Sequence, residues 1–154
     1  MIEKLKNKDI KESAQVFVKG LSMQKPKPLS KPNVNERMDI LKSEGTCFIY
    51  KYKRKIIGLA YFNVKKANIK IRFICSLKKR KGIGSSLIKE VTLFAVKNKI
   101  SLIYSTVSSE DERVIRFYDF CGFKRYNIYK ASGNFTLYRI KAKPETIIEK
   151  LSKK

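Results

Sequence analysis

The chain contains no histidine and no tryptophan, and only three of its 154 residues are cysteine. Without histidine, a Ser-His-Asp or Cys-His relay and a His-ligated zinc site are excluded. Cys47, Cys75 and Cys121 are odd in number and far apart, so they form neither a CxxC motif nor a complete disulfide set. Unpaired cysteines fit a reducing compartment. The longest apolar run, Ile56 to Phe62, is too short to cross a bilayer. The N-terminus, MIEKLKNKDIKES, lacks the apolar stretch of a signal peptide. The expectation is a soluble, cytoplasmic protein with no membrane association and no metal.

Negative charge is scarce too. Thirteen Asp and Glu stand against 36 Lys and Arg, a formal net charge of +23. Residues 1–50 carry +4, residues 51–100 carry +14 with Glu90 as their one carboxylate, and residues 101–154 carry +5. Solvated lysine explains part of this excess. The middle third is harder to dismiss and would attract an anion: a phosphorylated cofactor, a nucleic acid or an acidic surface. The length favours a single domain, 1–154, large enough to bury a core without disulfides.

Periodicity gives the element order. Met1 to Leu5 reads as a short strand. A helix over Ile10 to Leu21, capped by Asn7 or Asp9, shows Ile10, Ala14, Phe17 and Leu21 at helical spacing. The segment QKPKPLSKPN holds three of the four prolines and reads as a loop. A second helix, capped by Asn33 or Asn35, reaches about Lys42. Thr46–Lys51 and Lys55–Val64 form a hairpin, and a third strand follows in which Ile69, Ile71, Phe73 and Cys75 alternate with Lys70, Arg72 and Ile74. A helix over 85–97, a buried-type strand over 101–107, a helix over 110–121 and a last strand pair around Ser132-Gly133-Asn134 complete the order, before a basic helical tail. This is a mixed α/β domain rather than a regular βαβ array.

The strongest local signal lies between the third strand of this meander and the next helix: Lys79-Arg80-Lys81-Gly82-Ile83-Gly84-Ser85. Two glycines allow a tight turn with backbone N–H groups facing outward. The helix N-terminus adds donors and partial positive charge. A diphosphate suits such a cradle. A Walker A loop needs Gly-Lys-Ser/Thr, which is absent. A dinucleotide fingerprint needs a third glycine, where Ile88 follows instead, and a βαβ context.

The stretch IRFICSLKKRKGIGSSLIKEV resembles the cofactor motif of the GNAT (GCN5-related N-acetyltransferase) superfamily, Arg/Gln-x-x-Gly-x-Gly/Ala, with Lys79, Gly82 and Gly84 at its named positions. Lys79 keeps the charge but loses the planar geometry of arginine. A second stretch, DERVIRFYDFCGFKRY, resembles the family's later motif through Asp111, Val114, Phe117, Tyr118, Gly122 and Phe123. Asp111 and Val114 stand where Asn and Ala are usual.

The resemblance implies a GNAT-like fold: a mixed, mostly antiparallel sheet of six or seven strands flanked by about four helices, splayed between the strands at 69–77 and 101–107. It implies an acetyl-CoA-dependent N-acetyltransferase in which an amine attacks the thioester directly. Phe73 and Ile74 would hold the pantetheine and polarise the acetyl carbonyl through their backbone. Lys79, Arg80, Lys81, Gly82, Ile83, Gly84 and Ser85 would cradle the pyrophosphate, with Asp111 a less comfortable cofactor contact. Tyr118 would protonate the leaving thiolate. Glu110, or Asp111, is a weak candidate base; first-turn acids complementing the helix dipole are the plainer explanation. A positive cleft that lowers the bound amine's pKa needs no side-chain base. Cys75 lies close enough to the expected thioester for acyl transfer through it to be conceivable, although a small buried residue is the plainer reading.

The expected partners are acetyl-CoA and an amine acceptor, either a small molecule or a protein or peptide, with a homodimer also compatible. The alternative is a catalytically inactive module of this fold that binds nucleic acid or another anionic partner through the basic middle third. Tyr50, Tyr52, Tyr61, Phe62 and Phe73 would then form a stacking surface. The same aromatics alternate as strand core. A polycationic acceptor would be repelled unless Glu36, Asp39, Glu44 and Glu110 gather at the substrate mouth.

Overall fold

The computed structural model describes residues 1–28, 30–78, 82–132 and 135–153. The first strand, β1 (Ile2–Lys4), is followed by a 3-10 turn over Asn7–Asp9 and helices α1 (Ile10–Ser22) and α2 (Val34–Lys42). Then come strands β2 (Thr46–Tyr52), β3 (Lys55–Lys65) and β4 (Asn68–Ser76) and helix α3 (Ile83–Lys97). The chain continues through β5 (Leu102–Ser108), α4 (Glu112–Phe120), β6 (Lys124–Ser132), β7 (Phe135–Ala142) and α5 (Pro144–Ser152). The strands form one sheet ordered β1-β2-β3-β4-β5-β7-β6. Every neighbouring pair is antiparallel except β4 and β5, which are joined through α3 as a parallel crossover. The mixed α/β sheet expected from the sequence is therefore present, with seven strands and five α-helices.

Helices cover both faces of the first half. Phe17 and Val16 of α1 meet Ile49, Leu59, Tyr61 and Phe73 on one side. Leu87 and Val91 of α3, with Ile147 of α5, meet Phe62, Ile69 and Ile103 on the other. β3 runs between these layers. That is why IIGLAYF is a continuous apolar run rather than an alternating one.

The expected caps are partly realised. Asn33 accepts from the Glu36 N–H at 2.8 Å, which selects it over Asn35. Asp9 sits at the N-cap of α1 but makes no side-chain cap bond. It accepts instead from Lys51 Nζ at 3.2 Å, and Glu3 binds the same ammonium at 3.0 Å, so β1 and the first turn are tied to β2. The α4 helix begins at Glu112 rather than Glu110. The turn expected at Ser132-Gly133-Asn134 rests on Gly133 and Asn134, which lie outside the described residues.

The expected alternation along β4 is corrected in its second half. Tyr61 pairs with Phe73 and Phe62 with Ile71, so Arg72 is the extra residue of a β-bulge. Ile69 and Ile71 face α3, but the bulge shifts the phase and turns Phe73 towards α1. There Phe73 stacks on Phe17 at 4.3 Å with rings 6° from parallel.

α1 can approach β4 this closely because position 20 has no side chain. A Cβ there would lie 2.8 Å from Phe73 Cζ and 2.8 Å from Cys75 Cβ.

Candidate active site

β4 and β5 begin side by side and then part. Their pairing is confined to Asn68 with Leu102, Ile69 with Ile103 and Lys70 with Tyr104. One further link follows, from the Ser105 hydroxyl to the Ile71 carbonyl at 3.0 Å. Beyond it a cleft of about 900 Å³ opens between the strands. Its walls are β4 from Arg72 to Ser76, β5 from Ser105 to Ser108, the first turn of α3, and α4. Met23 to Pro26, after α1, close one end. The splay expected between these strands is thus where this cleft lies.

At the glycine turn, Gly82 takes the left-handed conformation, φ +67°, which favours glycine. The first intrahelical bond runs from Ser86 N–H to the Gly82 carbonyl, at 3.0 Å. The N–H groups of Ile83, Gly84 and Ser85 therefore have no acceptor within the helix, and no acid occupies its first turn. A Cβ on Gly84 would lie 2.9 Å from Phe117 Cε1, so this ring rests directly on the helix start. Ile83 is buried, anchoring the turn in the core, while Gly82, Gly84 and Ser85 line the cleft beside it. Lys79, Arg80 and Lys81 lie outside the described residues.

Tyr118 points from α4 into the floor of the cleft and is 3% exposed. Phe117 and Phe123 pack edge-on against it at 5.3 and 5.0 Å. Its hydroxyl is hydrogen-bonded to that of Ser105. Burial pushes the phenol well above its ordinary pKa, and the Ser105 bond offsets only part of this. Tyr118 therefore keeps its proton at physiological pH.

Phe73 and Ile74 both line the cleft through the β4 edge that β5 has left. Phe73 keeps its ring in the α1 layer, beside Gly20.

The two acids part company. Asp111 lines the cleft, is 7% exposed, and accepts from the Lys25 N–H at 3.3 Å, which fixes the segment after α1. Glu110 is exposed and is not among the lining residues. Nor are Glu36, Asp39 or Glu44, so the gathering that a polycationic acceptor would require is not met, and Asp111 is the acid lining the cleft. Glu36 and Asp39 are carried outward on α2, and Glu44 uses its backbone carbonyl to accept from Tyr61 at 2.6 Å. Against Asp111 stand Lys25, Arg72, Lys78, Arg113 and Arg116. The cleft is electropositive and suits a polyanionic ligand.

Cys75 lines the cleft. Its thiol lies against α1, 3.9 Å from the Val16 carbonyl, and burial pushes its pKa up to about 12. The reactive thiolate is thus scarce at neutral pH. Burial, with a smaller contribution from Cys75, raises Cys47 to about 12 as well. Both thiols keep their protons while unfolded ones ionise near 9.0, so folding stability is full below that pH and is lost as pH rises towards about 12. Urea titrations at about pH 8 and about pH 10.5 are expected to show this loss, and Cys47→Ala to reduce it.

Sequence reasoning missed Ser105, Arg72 and the role of Phe117. Ser105 was detectable as a hydroxyl at a core position between Ile103 and Val107. Arg72 was not, because the bulge that isolates it depends on the partner strand.

The sequence model of the acetyltransferase (GNAT) domain matches residues 12–138. The chain belongs to this acetyltransferase family. Solved structures agree on the fold. Ribosomal-protein-alanine N-acetyltransferase from Brucella melitensis superposes with a TM-score of 0.78 at 12% identity, over 93% of this chain and 99% of that one. The ribosomal-protein-S18-alanine N-acetyltransferase of Escherichia coli gives 0.74 at 16% identity, over 93% and 92%. The Salmonella typhimurium protein yncA, solved with its cofactor acetyl-CoA, gives 0.77 at 11% identity, over 94% and 93%. No curated protein matches the chain in sequence. Among the described residues no group of His, Cys, Asp or Glu could hold a metal, and no helix is long and apolar enough to cross a membrane.

Proposed function

We propose that the chain transfers the acetyl group of acetyl-CoA to an amine by direct attack within a ternary complex. The observation that carries this is the parting of β4 from β5 over the α3 N-terminus, with Tyr118 among the residues lining the gap. The cleft fits the substrate by charge as well as shape. The N–H groups of Ile83, Gly84 and Ser85, which have no acceptor within the helix, suit a pyrophosphate, and five lining cations exceed the single Asp111 among the described residues. Lys79, Arg80 and Lys81 would add to that cradle.

Backbone groups at Phe73 and Ile74 hold the pantetheine arm and aim N–H donors at the acetyl oxygen as it gains charge. The amine forms its C–N bond as the C–S bond breaks. Tyr118 gives its proton to the departing sulfur, the proton released by the nitrogen leaves through water to solvent, and a proton from that water restores Tyr118. The cations around the cleft disfavour an ammonium ion, so the bound amine is neutral without a dedicated base.

A titration with acetyl-CoA tests this, combined with thiol release against pooled amines and peptide N-termini. Two structural neighbours bear the name of ribosomal-protein-alanine N-acetyltransferases, so peptides starting with alanine belong in that pool. Saturation at about 100 times Kd should stabilise the fold by about 2.7 kcal/mol. Absence of both stabilisation and turnover would sink the proposal.

Glu110→Ala should leave turnover within about two-fold, since exposed side chains outside a site rarely matter. Asp111→Ala should release the Lys25 amide, whose hydrogen exchange then rises about ten-fold or more, the value of a bond to a charged acceptor.

A further inference from the structure

Strands β2 to β7 contain no aspartate or glutamate. The consequence is concentrated on one face of the second half of the sheet. Lys70 on β4 lies opposite Tyr104 on β5, Tyr104 opposite Lys141 on β7, and Lys141 opposite Lys124 on β6. Partners in adjacent strands share a face. One row therefore crosses four strands, about 14 Å at the usual strand spacing. The next row pairs Thr106 with Arg139 and Arg139 with Asn127.

Ile103, Val107, Ile140 and Ala142 alternate with these residues and belong to the core beneath α3 and α5. The cations consequently point the other way, to the side on which α1 packs over β3 and β4. Lys124 and Lys141 are exposed. Tyr126 is 40% exposed, with Lys141 Nζ 4.6 Å from its ring centre. Lys70 has its pKa lowered, first by burial and then by Arg72 and Arg139, so these cations stand close together. The ion pairs of Lys51, Arg116 and Lys153 lie elsewhere in the molecule.

We infer that this face binds single-stranded nucleic acid. Lysines and Arg72 meet phosphates, and Tyr126 and Tyr104 offer rings to bases, as sheet surfaces that carry both residue types do. An acidic peptide would satisfy the cations but leave the rings without a matching partner. Arg72, close enough to Lys70 to lower its pKa, also lines the cleft. Binding does not depend on acetyl transfer and is measured without acetyl-CoA, so either proposal can fail alone.

The test is fluorescence anisotropy of the full chain with a labelled, mixed-sequence RNA of about 16 nucleotides, the upper end of single-strand site sizes. Four phosphate contacts predict a log–log salt slope of about −3, or about fifty-fold weakening between about 50 and 200 mM salt. Combining Lys70→Gln, Lys124→Gln and Lys141→Gln should weaken binding about ten-fold or more and flatten the slope towards about −1. Tyr126→Ala should cost about five-fold or more. The charge-matched Lys42→Gln, Lys89→Gln and Lys97→Gln variant should stay within about two-fold. If the triple variant melts early, the exposed pair Lys124→Gln and Lys141→Gln carries the same comparison. Equal losses in the face and control variants would overturn the inference, as would tighter binding of an oligoglutamate peptide than of the RNA.

Discussion

Tyr118→Phe is expected to lower kcat by about 10²–10⁴-fold, the usual value of a positioned proton donor, while KM for acetyl-CoA changes little. The substitution deletes one oxygen from a ring held on two sides by Phe117 and Phe123. Packing is preserved, and Ser105 keeps its bond to the Ile71 carbonyl. Thermal stability should therefore stay close to wild type. That separates the chemical role from a core role, because a merely structural tyrosine would change stability and leave turnover per folded molecule intact. The raised pKa sharpens the test further. Wild-type kcat should show no loss from phenol ionisation across neutral pH, because burial keeps the proton on Tyr118. Parallel kcat and stability losses would assign the tyrosine to packing alone.

The second large effect is structural. Gly20→Val should destabilise the fold by about 2–3 kcal/mol, at the upper end of overpacking costs, and lower Tm by roughly 4–12 °C for a chain of this size. The new Cβ would meet Phe73 Cζ and Cys75 Cβ at 2.8 Å and Cys75 Sγ at 2.9 Å. These atoms belong to β4 and cannot swing away as a surface lysine could. Relief requires α1 to move, and α1 leads directly into Met23 to Pro26 at the end of the cleft. Differential scanning calorimetry measures the first effect. Wild-type stability in this variant would mean that the α1–β4 approach is softer than described.

Much of the architecture was legible in the sequence, and the reasons are local. Ile10, Ala14 and Phe17 mark α1 because a helix must bury one stripe. The Gly82–Gly84 turn marks the start of α3 because Gly82 needs a left-handed backbone. The resemblance to the GNAT motifs then supplied the strand pairing, which periodicity does not encode. What stayed hidden depends on partners distant in the chain. The bulge at Arg72 exists only against β3. The bond from Asp111 to Lys25 spans 86 residues. Glu110 and Asp111 are neighbours in sequence, yet only the second reaches the cleft, because α4 starts later than its charges suggest. The cross-strand row was hidden as well: its three lysines lie on three strands, with Tyr104 on a fourth, and Lys124 and Lys141 lie outside the basic middle third.

The parting of β4 and β5 leaves the sheet unfinished along its central seam. Past Lys70 and Tyr104 each strand presents an amide edge that in any other sheet would be capped by a neighbour. Water satisfies those groups when the cleft is empty, and an extended ligand with amides of its own can take the place of the missing strand. Ligand affinity and the cohesion of the two half-sheets thus draw on the same hydrogen bonds. An extended occupant pairing with both edges would act as a removable strand, and its binding should be read as added protection of the β4 and β5 amides from hydrogen exchange.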